Sequence, residues 1–283
     1  MKNKFFKTLT LVGVFGWFIL FGLVPTVMLV GVSFLKGDPV KLIDFTFSVS
    51  SYEQLMDATF ASMLGTSVLM AACTTVLCLL VGYPFAYIVA RSNKKKAKTM
   101  LVFVMIPFWT NSLIRTYALV AVLKADGVLN AAFMRIGMIE TPLKIMYTET
   151  AVFIGMVYTL LPFMILPLYA AIEKIDQGHL DAARDLGASK YFTFWKVTMP
   201  LTLPGIVSGC MLVFLPALGM FYIPDVLGGA RTMLLGNYVR DQFLVSRDLP
   251  VGAAASVSMT LLMGLMLVVY YKSVRRAGRK VRI

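Results

Sequence analysis

Asp181-Ala182-Ala183-Arg184-Asp185-Leu186-Gly187-Ala188-Ser189-Lys190-Tyr191-Phe192-Thr193-Phe194-Trp195-Lys196-Val197-Thr198-Met199-Pro200 sets a polar loop between two long apolar runs. Leu180, Ala183 and Leu186 recur at roughly helical intervals, and Ala182 and Ala183 have almost no side chain, so another protein can approach that face closely. Gly187 stands where a helix ends in a left-handed residue. Ser189 is placed to cap a second helix, which Pro200 is expected to terminate. The predicted product is a short helix, a tight turn and another short helix. Its rival is a solvated interhelical loop with no docking role.

Outward from this loop the chain is apolar. Of 283 residues 59% are hydrophobic and 14% charged, too apolar for a soluble monomer and long enough for several spans of about 20 residues each. Six runs are read as spans: Leu9 to Phe34, Met63 to Ala90, Met100 to Leu123, Ala151 to Ile172, Leu203 to Ile223 and Gly252 to Tyr271. Gly and Pro interrupt several of them, as membrane helices tolerate. The first run follows Lys2, Lys4 and Lys7 but is too long for a secretory signal and lacks a clear small-residue cleavage site, so it is expected to stay as an anchor. The reading is an all-α membrane protein of six helices, one transmembrane domain over residues 1–283, with a cytoplasmic loop at 173–203.

Charge sets the orientation. With the N-terminus inside, the inner segments hold 18 basic and 4 acidic residues, a net of +14, and the outer ones 8 basic and 10 acidic. Arg115, within the third run, completes the total of +13. Both termini and the loop are therefore expected in the cytoplasm. The same distribution explains a pI near 9.7 without any nucleic-acid partner.

Between the runs, Leu129, Phe133, Ile136 and Ile139 form an apolar stripe on an expected short outer helix, and Met233 to Leu244 behaves similarly. These segments gate the pathway, dock a partner or pack at the interface. No catalytic or metal site is expected. His179 is the sole histidine, and Cys73, Cys78 and Cys210 lie inside apolar runs without CxxC spacing. No GxxxxGK[ST] phosphate loop occurs either, so ATP would have to be bound elsewhere. Secondary carriers place carboxylates deep in their spans, and here no Asp or Glu falls near the middle of a run. Arg115 is the clear intramembrane charge, and its guanidinium stays protonated.

Asp181, Ala182, Ala183, Gly187, Val197, Met199 and Pro200 match the spacing of a known motif: Glu-Ala-Ala, three residues, Gly, nine residues, Ile-x-Leu-Pro. Three positions depart conservatively. The loop thus resembles the cytoplasmic coupling loop of permease subunits in binding-protein-dependent ABC importers. Pro107 to Arg115, Leu160-Leu161-Pro162-Phe163 and Ala217 to Gly229 extend the resemblance, which is to the spermidine/putrescine type within that family.

The resemblance implies a type I importer permease in a bacterial inner membrane, working beside a second homologous permease, two ATPase subunits that hold ATP and Mg, and an extracytoplasmic polyamine-binding protein. No cofactor is expected in this chain. A polycationic cargo needs acceptors and aromatic faces, which implies Trp109, Asn111, Tyr158, Phe221, Tyr222 and Asp225 as pathway candidates. Trp109 and Tyr222 also suit interfacial anchors, and Phe221 ordinary packing. Asn111 and Arg115 lie four apart, on one expected helical face. Arg115 is read as structural or gating, preferentially pairing with a partner-permease carboxylate. A related importer for sulfate, iron or another small solute is the alternative, ahead of a secondary transporter or a membrane scaffold.

Overall fold

In a computed structural model the described residues are 2–38, 42–229 and 233–280; Lys41, Arg231 and Arg282 of the charge count lie outside them. Six helical stretches among the described residues are long and apolar enough to cross a membrane: Thr10–Ser33, Ala58–Ala90, Ser112–Arg135, Glu149–Glu173, Lys190–Gly219 and Leu249–Lys272.

Several of the expected boundaries differ. The run Met100 to Leu123 is not one helix: Lys94–Met105 passes into a tighter turn, Ile106–Trp109, and a new helix, Ser112–Leu123, begins after it. Pro107 cannot donate a backbone hydrogen bond, and the Asn111 side chain accepts from Leu113 N at 2.8 Å, capping the new start. The helix Val128–Arg135 then extends that apolar stretch. It stops short of the expected stripe, since Ile136 lies past its end and is 67% exposed.

The fifth run ends at Gly219 instead of Ile223. Met220 is extended, and a separate helix, Tyr222–Gly228, follows. Pro224 falls in that helix's first turn, where its missing N–H costs nothing. Phe221, Tyr222 and Asp225 therefore lie outside the span. Nor does Pro200 terminate the loop helix. Lys190–Thr193 continues through a π turn, Phe194–Thr198, into Met199–Gly219. Pro200 lacks the N–H that an α-helix needs and its ring crowds the carbonyl four residues back. The widened turn just before it relieves both.

The chain divides into two compact units, Met1–Ser62 with Tyr238–Met263 and Met63–Asn237 with Gly264–Ile283. In the first, a hairpin of Leu35–Lys36 and Asp44–Phe47 follows the first span. Phe34 stacks on Phe47 at 5.7 Å, and the Ser33 and Tyr52 hydroxyls share a hydrogen bond of 2.8 Å. None of the apolar window of Thr10–Ser33 is buried within the chain.

The second unit is built around Glu149–Glu173, whose Val152, Met156, Leu160, Met164, Leu168 and Ile172 are buried. Their spacing of about four residues makes one helix-length stripe. Met199–Gly219 closes on this helix through small residues. A Cβ on Gly205 would stand 2.4 Å from Ala171 Cβ and 2.9 Å from the Pro167 carbonyl oxygen, and one on Gly209 2.7 Å from Met164 Sδ. In a bilayer, contacts this close supply the packing that water would otherwise drive. From the second span, the Tyr83 and Thr202 hydroxyls meet at 3.0 Å, and Tyr83 sets its ring edge-on to Phe194 at 5.7 Å.

Candidate functional site

The loop folds as two capped helices joined at a left-handed glycine. Asp176 caps its first helix, Gln177–Asp185, by accepting from Gly178 N at 3.1 Å. At the other end Gly187 has φ +80°. Gly187 N donates to Arg184 O at 2.8 Å and Ala188 N to Ala183 O at 3.0 Å, the paired closing bonds that a left-handed residue permits. Ser189 Oγ then accepts from Phe192 N at 3.2 Å and starts the next helix. Leu180 is buried, so the loop is held by its own apolar residue.

Asp181 and Ala182 are exposed and Ala183 is half-buried. Asp181 accepts from Arg184 Nη1 at 3.2 Å, a surface pair of little energetic weight. Leu186 is 88% exposed, and Tyr191, Phe192 and Trp195 are exposed with it. Ala183, Gly187 and Val197, three residues of the motif, line one shallow cleft with Leu186, Ser189 and Phe192. Pro200 lies apart from that cleft, above the π turn. An apolar, glycine-shaped surface at the end of a rigid span can take a push from a partner and pass it to the span.

On the other side of the membrane-crossing core, Tyr222–Gly228 packs against Glu149–Glu173 and Ser112–Leu123. Phe221 is exposed, Tyr222 half-buried, and their rings meet edge-to-face at 6.1 Å. Asp225 is half-buried and accepts from Asn237 Nδ2. Asn237 was not among the residues expected from sequence; its signal was an amide directly after Leu234-Leu235-Gly236 in an amphipathic segment. Asn237 Oδ1 is buried without a hydrogen-bond partner among the described residues, a cost of about 1–3 kcal/mol. The structure thus brings together Phe221, Tyr222, Asp225 and Asn237.

Trp109 does not join that cluster. It is 84% exposed at the helix break and lines another cleft with Lys94, Lys98, Met105, Tyr169 and Glu173. Glu173 is a carboxylate that span counting placed in the loop. Tyr158 sits on an exposed face of its helix. Asn111 is exposed, its Oδ1 caps the new helix, and Arg115 follows it by one turn, Arg115 N donating to Asn111 O at 3.2 Å. The Arg115 guanidinium lies 5.1 Å from the Phe108 ring centre, and Phe108 meets Phe163 edge-on at 5.2 Å. Arg115 Nε and Nη1 are buried without an acceptor among the described residues. The ring face supplies part of what water no longer can.

The family model for the binding-protein-dependent transport system inner membrane component matches residues 82–283. The spermidine/putrescine transport system permease protein PotB of Salmonella typhimurium is 46% identical over 282 residues, covering 99% of this chain and 98% of its own. PotB of Haemophilus influenzae is 45% identical over 283 residues, covering 100% and 99%. Among solved structures, a chain of a bacterial alginate ABC transporter, in complex with alginate pentasaccharide-bound periplasmic protein, has a TM-score of 0.79 over 97% of this chain and 96% of its own. At 16% identity that likeness concerns the fold.

Proposed function

This chain belongs to the family of binding-protein-dependent transport system inner membrane components, and from that premise we propose that it forms half of the pathway through which an ABC importer takes up spermidine or putrescine. It is a multi-pass transport component and not an enzyme. The observation that carries the polyamine reading is 46% identity over 99% of the chain to a spermidine/putrescine permease.

The other half of the pathway is a second, homologous permease. Two ATPase subunits hold ATP and Mg and dock at Asp181, Ala182, Ala183, Gly187 and the exposed side chains beside them. An extracytoplasmic polyamine-binding protein delivers the cargo. The surplus of inner positive charge supports cytoplasmic termini. A polycation is drawn by carboxylates and ring faces, which favours Asp225, Phe221 and Tyr222 at the outer side, with Trp109 and Tyr158 along the way. Arg115 repels such a cargo and pairs instead with an acceptor of the second permease.

The test is labelled-spermidine uptake and ATP hydrolysis by the chain reconstituted with its permease partner, ATPase and binding protein, with sulfate and ferric iron as controls. Spermidine uptake driven by ATP is the expected result. ATP-driven uptake of a control solute in its place would keep the importer and overturn the cargo.

A further inference from the structure

The Asn237 carboxamide is 3% exposed, and both of its N–H donors are engaged: Nδ2 donates to the Phe221 carbonyl at 3.0 Å and to Asp225 Oδ1. Two acceptors on one nitrogen fix which way the amide faces. The Phe221 carbonyl also accepts the Asp225 backbone N–H at 3.2 Å. One side chain therefore holds both the first turn of Tyr222–Gly228 and the carboxylate that this helix carries. The helix itself is seated firmly. Ile223 and Leu227 are fully buried, and Leu227 O accepts from Tyr147 N at 2.9 Å. Asn237 Oδ1, in contrast, is enclosed with no donor among the described residues.

We propose that Asp225 and Asn237 together form a subsite for one alkylammonium group, an inference that rests on the polyamine reading and names the atoms that receive the cargo. An alkylammonium has N–H donors and no acceptor, so it needs acceptors only. The Asp225 carboxylate supplies charge, and Asn237 Oδ1 supplies a neutral acceptor beside it. In the conformation seen here an amide N–H occupies the Asp225 oxygen that an ammonium would use. An arriving ammonium displaces that N–H and takes Oδ1 as its second acceptor, so the buried oxygen gains a donor as the carboxylate changes partners. No bond to carbon forms or breaks. The adjoining Phe221 and Tyr222 rings offer faces to the methylene chain between ammonium groups and to the charge itself. Asn237 is accordingly a positioning residue for Asp225 and a ligand in its own right.

The test reads moles of spermidine imported per mole of ATP hydrolysed, in proteoliposomes holding the full complex and its binding protein. The parent complex comes first: no spermidine import there would overturn the polyamine reading, and this subsite with it, before any variant is made. With import established, Asn237→Leu is expected to lower the ratio about tenfold, and Asn237→Gln, which keeps both the amide donors and the acceptor, to stay within about threefold of the parent. An unchanged ratio for Asn237→Leu would overturn the subsite. So would equally low ratios for both variants, because the amide would then serve only to hold the helix. Should the leucine variant not assemble, Asn237→Ala removes the amide with less bulk and no hydroxyl acceptor, and is judged by the same ratio.

Discussion

Gly155 and Leu227 lie so close that a Cβ on the glycine would stand 2.4 Å from Leu227 Cδ1, with Ile223 Cγ2 at 2.9 Å. This contact joins the central helix of the larger unit to the short helix that carries Asp225. Both apolar partners are fully buried, so neither can swing aside.

Gly155→Val is therefore expected to push Tyr222–Gly228 off its seat at a cost of about 1–3 kcal/mol. Thermal unfolding in detergent should show the lower stability, and spermidine uptake should fall with it. Wild-type melting would mean that the short helix is free to shift.

Gly187→Val places a β-branched residue at φ +80°, a strain of about 1–2 kcal/mol or more. The spans should insert normally. Binding-protein-stimulated ATP hydrolysis is expected to drop roughly tenfold if that strain is relieved by moving the docking surface. Normal hydrolysis and normal ATPase co-purification would remove the loop from the transmission path.

Arg115→Gln keeps a polar side chain but loses the charge held over Phe108. Weaker co-purification of the second permease is the expected outcome, with Arg115→Lys only a partial rescue because a point charge does not replace a planar fork. Unaltered assembly and uptake would leave Arg115 with no role in pairing or gating.

Asp225→Asn is nearly isosteric, so the complex should still assemble. A charge-assisted bond to an ammonium contributes about 1.5–3 kcal/mol, so uptake should fall by roughly tenfold or more. Parent-like uptake would take Asp225 out of the pathway.

The loop around Gly187 was legible from sequence because its geometry is local. A left-handed glycine and a serine cap act within four residues of themselves, and Gly187 and Ser189 adopt the expected conformations. Hydropathy was a poorer guide to where helices break. It averages over Pro107 and Asn111, whose effects are directional, and over Met220, where one extended residue ends the fifth span. Asn237 was illegible for another reason. Its partners, Phe221 and Asp225, lie on a different element, and an amide in an amphipathic segment reads the same whether it faces water or a half-buried carboxylate.

The π turn at Phe194–Thr198 matters to anyone building chimeras. One extra residue in a helical turn rotates everything before it by about 100° relative to everything after it. A loop borrowed from another permease and joined within 194–198 would lose or double that residue, and would turn the exposed face of Leu186, Tyr191 and Phe192 relative to the span even with every residue of that face intact. Splice points before Asp176 and after Pro200 carry the cap, the glycine and the wide turn across as one calibrated spacer.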